Sequence, residues 1–409
     1  MKIALMHPYR HHSYNIVEAI SHTNNEITAF YGYYNKDNLI YRSLERVPNN
    51  KIISKFLGYN DANIDKYVQT NIISKLLFLQ SKVNNSKSNK FTEKFDNYCY
   101  SKVNKFDTLI FLQDHCQKAL DNAFDKNKKV IYDHILPCGY KQRKILLSEC
   151  EQLGIGPGYA DKYMPEEKIE KNYINISKAN IILNASYSTY SIAEEVLGIE
   201  EAKKRSFLLP YGSNFNSFDK ESFNNYLDSK IVSQSKRKMK ILYVGSIGVS
   251  KGIRVLIETI KKLDSKEVEF GIVGVLNQEE DNIFLDEINK LDNVKYYGAV
   301  PHKIIGEIYK QYDMFIFTSI IEGFGMVTLE AMSYGLPCIV NKFCKSVVEN
   351  NSNGYVVKEY CSDAYVSAIR YILNNKEKLA ELSQNAYQTS QIYSWSRYQK
   401  ELIGIIENL

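Results

Sequence analysis

The chain has 409 residues and is 44% apolar, enough for two domains of ordinary size with full cores. Its 52 Lys and Arg against 47 Asp and Glu leave a net charge of +5, too mild to demand a nucleic-acid partner. No run of about 18 uninterrupted apolar residues exists to span a membrane, and the opening Met1–Met6 stretch stops at His7-Pro8, so no secretory leader is expected.

In chain order, Lys2–Met6 reads as a short buried strand and Ser13 as the cap of a helix running to about Ser21. The loop between them, His7-Pro8-Tyr9-Arg10-His11-His12, carries three histidines with no Asp, Glu or His constellation at metal-ligand spacing after it. Residues 40–105 are polar and rich in Lys and Asn. Within them Ile72, Ile73, Leu76, Leu77 and Leu79 sit close to helical spacing, with Lys75 and Lys82 nearby and Lys51, Lys55, Lys66, Lys87, Lys90, Lys94, Lys102 and Lys105 around them. The favoured reading is a core-facing helix with a solvated side; the alternative is an interfacial face docked on anionic lipid.

Thr108–Leu112 and Lys129–Tyr132 are apolar strands ending at Asp114-His115 and Asp133-His134. Polar residues at the carboxyl ends of parallel strands point into the ligand crevice of an open α/β sheet. From 217 to 238 the composition turns polar, ending in Lys236-Arg237-Lys238, and reads as a solvated linker. Strand and helix then alternate: Met239–Val244, the apolar stripe Ile253, Leu256, Ile257, Ile260 and Leu263, then Val268–Val273, Val294–Tyr297 and Met314–Phe317. Such alternation predicts a parallel sheet covered by helices, a Rossmann-like domain. Seven cysteines (99, 116, 138, 150, 338, 344, 361) include no C-x-x-C pair, which predicts reduced thiols and a cytoplasmic protein.

Two loops of this second half carry chemistry. Gly245-Ser246-Ile247-Gly248-Val249-Ser250-Lys251-Gly252 joins its first strand and helix; glycine permits close backbone approach, Ser246 can donate a hydrogen bond, and Lys251 can place a charge on a phosphate. Thr318 to Glu330 reads as a two-glycine loop leading into a helix start, with Gly335 and Pro337 as stop signals. The helix N-terminus offers unpaired N–H groups to an anion, while Glu322 and Glu330 can accept hydrogen bonds from sugar hydroxyls. One pocket can so hold a diphosphate and two sugars, which describes a nucleotide sugar.

The run Glu322-Gly323-Phe324-Gly325 through Glu330, with Ala331-Met332, Gly335 and Pro337 behind it, resembles the Glu-x7-Glu motif of retaining GT-B glycosyltransferases of family 4, the group 1 glycosyl transferases. The resemblance implies two Rossmann-like domains facing a central cleft: 1–216 on the acceptor side, a linker at 217–238, a donor domain at 239–391, and a helix at 392–409 crossing back. It implies that Glu322 contacts the donor sugar, that Glu330 contacts the nucleotide ribose, and that His134, at a strand end similar to the family's reaction-centre histidine, lies beside the sugar. His134, Glu322 and Lys251 are the expected catalytic residues. Donor binding is expected from Gly245, Ser246, Lys251, Gly252, Gly274, Val300, Glu322, Gly323, Phe324, Gly325, Met326, Val327 and Glu330. Arg254 is a further candidate for the phosphate charge.

Two departures stand out. The first loop lacks the family's usual glycines, leaving His11 and His12 open between solvated loop residues and acceptor contacts, and Ser246 replaces a frequent arginine. The segments Gly156–Asn180, Ile181–Gly198 and Phe207–Asn214 also resemble the family, as does Tyr393-Ser394-Trp395 ahead of the last helix. The implied activity is metal-independent transfer from a UDP- or GDP-linked sugar, with no cofactor, to a glycan or lipid-linked acceptor in O-antigen or capsule assembly. Such work suits the inner face of the cytoplasmic membrane. A GT-B nucleotide-sugar epimerase and a non-catalytic nucleotide-sugar-binding subunit are the alternatives.

Overall fold

A computed structural model describes residues 1–9, 11–34, 61–83, 89–213, 218–234, 237–277 and 281–408. Arg10, Lys51, Lys55, Lys87, Asn214 and Lys236 lie outside the described residues.

Apolar runs rich in β-branched and aromatic residues form two wholly parallel sheets. The first takes β1 (Lys2–His7), β2 (Glu26–Tyr31), β3 (Val68–Thr70), β4 (Thr108–Leu112), β5 (Lys129–His134), β6 (Ile181–Asn184) and β7 (Ser206–Leu208) in the order β3-β2-β1-β4-β5-β6-β7. The second takes β8 (Met239–Val244), β9 (Val268–Val273), β10 (Val294–Gly298), β11 (Met314–Phe317), β12 (Cys338–Asn341) and β13 (Gly354–Val357) in the order β10-β9-β8-β11-β12-β13. Their central strands are buried almost throughout, as parallel strands between helical layers must be, while the edge strands β3, β7 and β10 are partly exposed. In each sheet the order reverses once, between β1 and β4 and between β8 and β11. At such a switch point neighbouring connections leave to opposite faces and open a crevice outside the strand carboxyl ends.

Several local readings change. Ser13 does not cap its helix, Ser13–Ser21; it is the first helical residue, and its hydroxyl is 3.1 Å from the Tyr31 hydroxyl. β5 runs on to His134 because Asp133 and His134 continue the ladder opposite Leu183 and Asn184 of β6. The helix Ile72–Val83 turns one face inward, burying Ser74 and Phe78, but Ile72, Ile73 and Leu76 are on its solvated side, 75%, 59% and 62% exposed. The polar stretch after residue 217 holds a helix, Lys220–Gln234, anchored by Phe223, whose ring stacks on Tyr387 at 3.9 Å. Arg237 at its far end forms a two-pronged pair with buried Asp313 at 2.7 and 2.8 Å. All seven cysteines are free thiols.

Among the contacts that join the halves, two lie on opposite flanks. The last helix, Trp395–Glu407, is capped by Ser394 and packs on the helix Ser13–Ser21, where its Gln399 amide donates a 2.8 Å hydrogen bond to the Glu18 carboxylate. On the other flank Arg254, in the helix Ile253–Lys261, grips the carboxylate of Glu149, in the helix Tyr140–Gln152, at 2.6 and 2.9 Å. Arg254 also holds Glu258 at 2.6 Å, so its guanidinium is committed between domains and does not serve the phosphate site.

Glu149 keeps only 4% of its side chain exposed and Arg254 16%. Removing one partner leaves a buried charge uncompensated, a loss of about 3–5 kcal/mol for such pairs. Arg254→Met is expected to lower stability by that order in urea unfolding. The double variant Arg254→Met with Glu149→Met should recover most of it.

Candidate functional site

The carboxyl ends of β1 and β5 face those of β8 and β11 across a cleft of about 670 Å³. The wall from the second sheet comprises Gly245, Ser246, Lys251, Phe317 and the run Glu322 to Val327. The opposite wall is His11, His12, Asn15, Ile135, Leu136 and Tyr211, with Trp395 from the last helix.

Two braced loops make the first wall. Ser250 accepts from the backbone N–H groups of Ile320 and Ile321 at 3.1 and 3.3 Å, and the Thr318 hydroxyl donates to the Lys251 carbonyl at 3.0 Å. Thus the β8 loop and the β11 loop move as one. Gly325 closes the second loop at φ 76°, a left-handed conformation unfavourable to side-chain-bearing residues, and the helix Met326–Ser333 starts immediately after it. Its first N–H groups therefore open toward the cleft. Gly323 is required for another reason: a Cβ there would stand 1.9 Å from the carbonyl oxygen of Ile135, so the two walls meet backbone against backbone.

Between the loops the Lys251 ammonium lies 2.7 Å from a Glu322 carboxylate oxygen, which also accepts from Ser319 at 3.3 Å. Burial opposes the charge on Lys251, but the Glu322 carboxylate outweighs it and leaves the ammonium pKa above its usual value. The pair is a stored cation and a stored acceptor. An incoming anion can take the lysine and release the carboxylate.

His134 is not a cleft residue. It is fully buried; Asn172 donates to its Nε2 at 3.3 Å, and its Nδ1–H donates to Asn184 at 3.2 Å. Burial lowers its pKa to about 4, which keeps the ring neutral. The reason is the pleat: side chains alternate along β5, so Asp133, itself buried, points to the other face and reaches the cleft-lining His12. His134 and Asn172 instead brace the turn after the strand. Asn172 donates to the Cys138 carbonyl at 2.9 Å, and Gln113 accepts from the Leu136 N–H at 2.7 Å.

Gly252, Gly274, Val300 and Glu330 also lie off the cleft lining. Gly274 sits at the end of β9, hydrogen-bonded to the Gly298 carbonyl at 2.9 Å, with Val300 just beyond β10. Glu330 is in the second turn of the helix Met326–Ser333 and accepts from the Tyr309 hydroxyl at 3.3 Å. Burial raises its pKa, against the opposing pull of His302 and Tyr309.

The sequence reading left His11 and His12 open and did not foresee their neighbours on the wall opposite the second sheet. The His12 ring lies against Tyr211 at 4.2 Å, and Tyr211 reaches Phe324 of the opposite wall at 5.4 Å. The His12 Nε2–H donates to Asp133 at 2.6 Å, both side chains almost fully buried. Nothing local in the sequence links positions 121 residues apart. The two-residue period of β5 was the one signal that Asp133 and His134 point to opposite faces. His115, at the end of β4, packs on His7 at 4.8 Å, away from the cleft lining. Among the described residues no group of three or more His, Cys, Asp or Glu is arranged to hold a metal ion.

These two switch-point sheets facing one cleft are the GT-B architecture. Residues 227–389 match the family described as Glycosyl transferases group 1. An uncharacterized 41.2 kDa protein in the cps region of Klebsiella pneumoniae is 30% identical over 162 residues, 38% of this chain and 44% of that protein. The Staphylococcus aureus capsular polysaccharide biosynthesis glycosyltransferase CapM is 27% identical over 206 residues, covering 48% and 53%. Anabaena Alr3699/HepE, crystallised with UDP and glucose, superposes over 100% of both chains with a TM-score of 0.63 at 16% identity. The chain spans about half the length of the curated relatives it matches.

Gly323→Ala forces a methyl against the Ile135 carbonyl. Overpacking of this kind costs about 1–3 kcal/mol, so a lowered urea midpoint is expected, whereas an unchanged midpoint would show that the walls part freely.

Proposed function

We propose that the chain is a retaining, metal-independent glycosyltransferase that moves a sugar from a UDP- or GDP-linked donor to a glycan or lipid-linked acceptor in bacterial surface polysaccharide assembly. The observation that carries this reading is the Lys251–Glu322 pair, set between the Gly245-Ser246 turn and the start of the helix Met326–Ser333. The names of the Klebsiella and Staphylococcus relatives, and the UDP and glucose bound by the Anabaena protein, support it. In this reading residues 1–216 serve the acceptor, 217–238 link, 239–391 hold the donor, and 392–409 lock the halves.

The donor diphosphate takes Lys251 and the helix N–H groups, which stabilise the charge that grows as the bond to the sugar breaks. Glu322, released from the lysine, orients the sugar hydroxyls. Glu330 accepts from the ribose, and Gly274 and Val300 border the base. A cation plus a helix end can replace a divalent ion, and the sequence carries no Asp-x-Asp metal motif. His134 acts on the reaction only by holding the Ile135-Leu136 turn against Gly323. The exposed Ile72, Ile73 and Leu76, flanked by exposed Lys66, Lys90 and Lys94, provide a contact with anionic membrane.

A thermal-shift panel of nucleotide sugars tests the donor, because a ligand bound only by the folded state raises its apparent stability. Turnover of the donor so found is expected to persist in excess EDTA; a loss restored by magnesium would contradict metal independence. Glu330→Ala is expected to weaken UDP or GDP binding tenfold or more in calorimetry, since losing a charged partner costs about 1.5–3 kcal/mol. Glu322→Ala should lower the transfer rate more than nucleotide affinity.

Burial raises the Glu330 pKa, so its charge is lost at higher pH than for an exposed glutamate. Nucleotide affinity is full above the raised value and falls as pH drops through it. Glu330→Gln is expected to flatten that part of the calorimetric pH profile.

A further inference from the structure

The turn that carries Lys251 is gripped by a carboxylate that the donor reading leaves unused. Asp281 is fully buried and does not line the cleft. It occupies the capping position of the helix Asn282–Ile288, where an aspartate ordinarily bonds the first helical N–H groups, yet its side chain makes no such bond. The carboxylate is turned to the phosphate loop instead. One oxygen accepts from the backbone N–H of Val249 at 3.2 Å, two residues before Lys251. The other lies so near Gly248 that a Cβ there would stand 2.8 Å from it. Asp281 therefore holds the entry to the 3₁₀ turn Val249–Lys251, and the Lys251 N–H closes that turn on the Gly248 carbonyl at 3.1 Å.

The group that fixes this carboxylate comes from the other half of the chain. Tyr159, in the short helix Gly158–Tyr163, brings its hydroxyl to both Asp281 oxygens at 3.3 and 3.5 Å, from 122 positions away. Burial and the Asp281 charge push the phenol up from its usual range, so it remains a neutral donor. The far end of its helix is pinned to the first half by Arg143, which donates to the Met164 carbonyl at 2.9 Å and pairs with Asp161 at 2.5 Å. A carboxylate beside an anion-receiving turn cannot itself favour the anion. What it contributes is the position of the backbone it grips.

We propose, resting on the donor-cleft reading above, that Tyr159 and Asp281 are positioning residues for Lys251. The phenol holds the carboxylate, the carboxylate holds the Gly248-Val249 backbone, and that backbone sets where the Lys251 ammonium meets the donor diphosphate. The donor site of the second half is thus complete only while the helix Gly158–Tyr163 of the first half is seated on it.

Calorimetry on the full chain, with UDP and with GDP, tests the assignment. Tyr159→Phe removes one oxygen and keeps the ring. Affinity for whichever nucleotide the unaltered chain binds is expected to fall about tenfold, the scale of a lost hydrogen bond to a charged group. Asp281→Asn keeps an acceptor for the Val249 N–H and should lose less than Asp281→Ala. Because Tyr159 acts through Lys251, adding Tyr159→Phe to Lys251→Met should weaken binding by less than about twofold more. Gln399→Ala loosens the opposite flank without touching the turn and should leave affinity within about twofold. The positioning role is overturned if Tyr159→Phe lowers the urea midpoint but leaves affinity within twofold of the unaltered chain. It is overturned equally by a full tenfold loss in the Lys251→Met background, or by a matching loss in Gln399→Ala. Binding of neither nucleotide by the unaltered chain would instead overturn the donor-cleft reading.

Discussion

Lys251 is held 2.7 Å from Glu322 by two loops tied together through Ser250 and Thr318, and that constraint organises the cleft. An ammonium that is largely buried is kept charged by the carboxylate beside it. The pair therefore sets a cation and a hydrogen-bond acceptor side by side on the cleft wall. Neither residue does this alone, because each without the other is a buried, uncompensated charge.

The loops hold this geometry because of where the sheets place them. Each sheet reverses strand order once, and each reversal opens a crevice at strand carboxyl ends. The two crevices face one another because the chain is stapled on both flanks, by the crossing helix Trp395–Glu407 and by the Arg254–Glu149 pair. Backbone contact between Gly323 and Ile135 sets how near the walls approach. A second line of polar groups, His134 with Asn172, Asn184 and Gln113, stiffens the turn that makes this contact. That histidine works from beneath the surface; of its neighbours, Ile135 lines the cleft and Asp133 reaches it only through His12.

Much of the second half was legible in the chain. Met239–Val244, Val268–Val273 and Met314–Phe317 are bounded by their own turn residues, and the Gly323-Phe324-Gly325 loop announces itself by glycines whose freedom is a local property. Lys251 and Glu322 were identifiable as candidates from their places on these loops. The first half was less legible. Ile72, Ile73 and Leu76 have helical spacing whether they face a core or open solvent, so periodicity predicted the helix and not its surroundings. The stretch after residue 217 looked like solvated linker because a helix held by a small cluster, Phe223 and Leu227 with Tyr226 beside them, shows little apolar pattern.

By itself the amino-acid sequence determined the alternation of strand and helix, the two phosphate-suited loops and the pair of glutamates eight positions apart, because these follow from short-range spacing and backbone freedom. Tertiary structure decided which groups share the cleft. It buried His134 in the interior, brought His12 to Asp133 across 121 positions, committed Arg254 to Glu149, and placed Tyr211 between Phe324 and Trp395. Those outcomes depend on strand pleat, sheet order and domain docking, which bring distant residues together and leave no trace in local pattern.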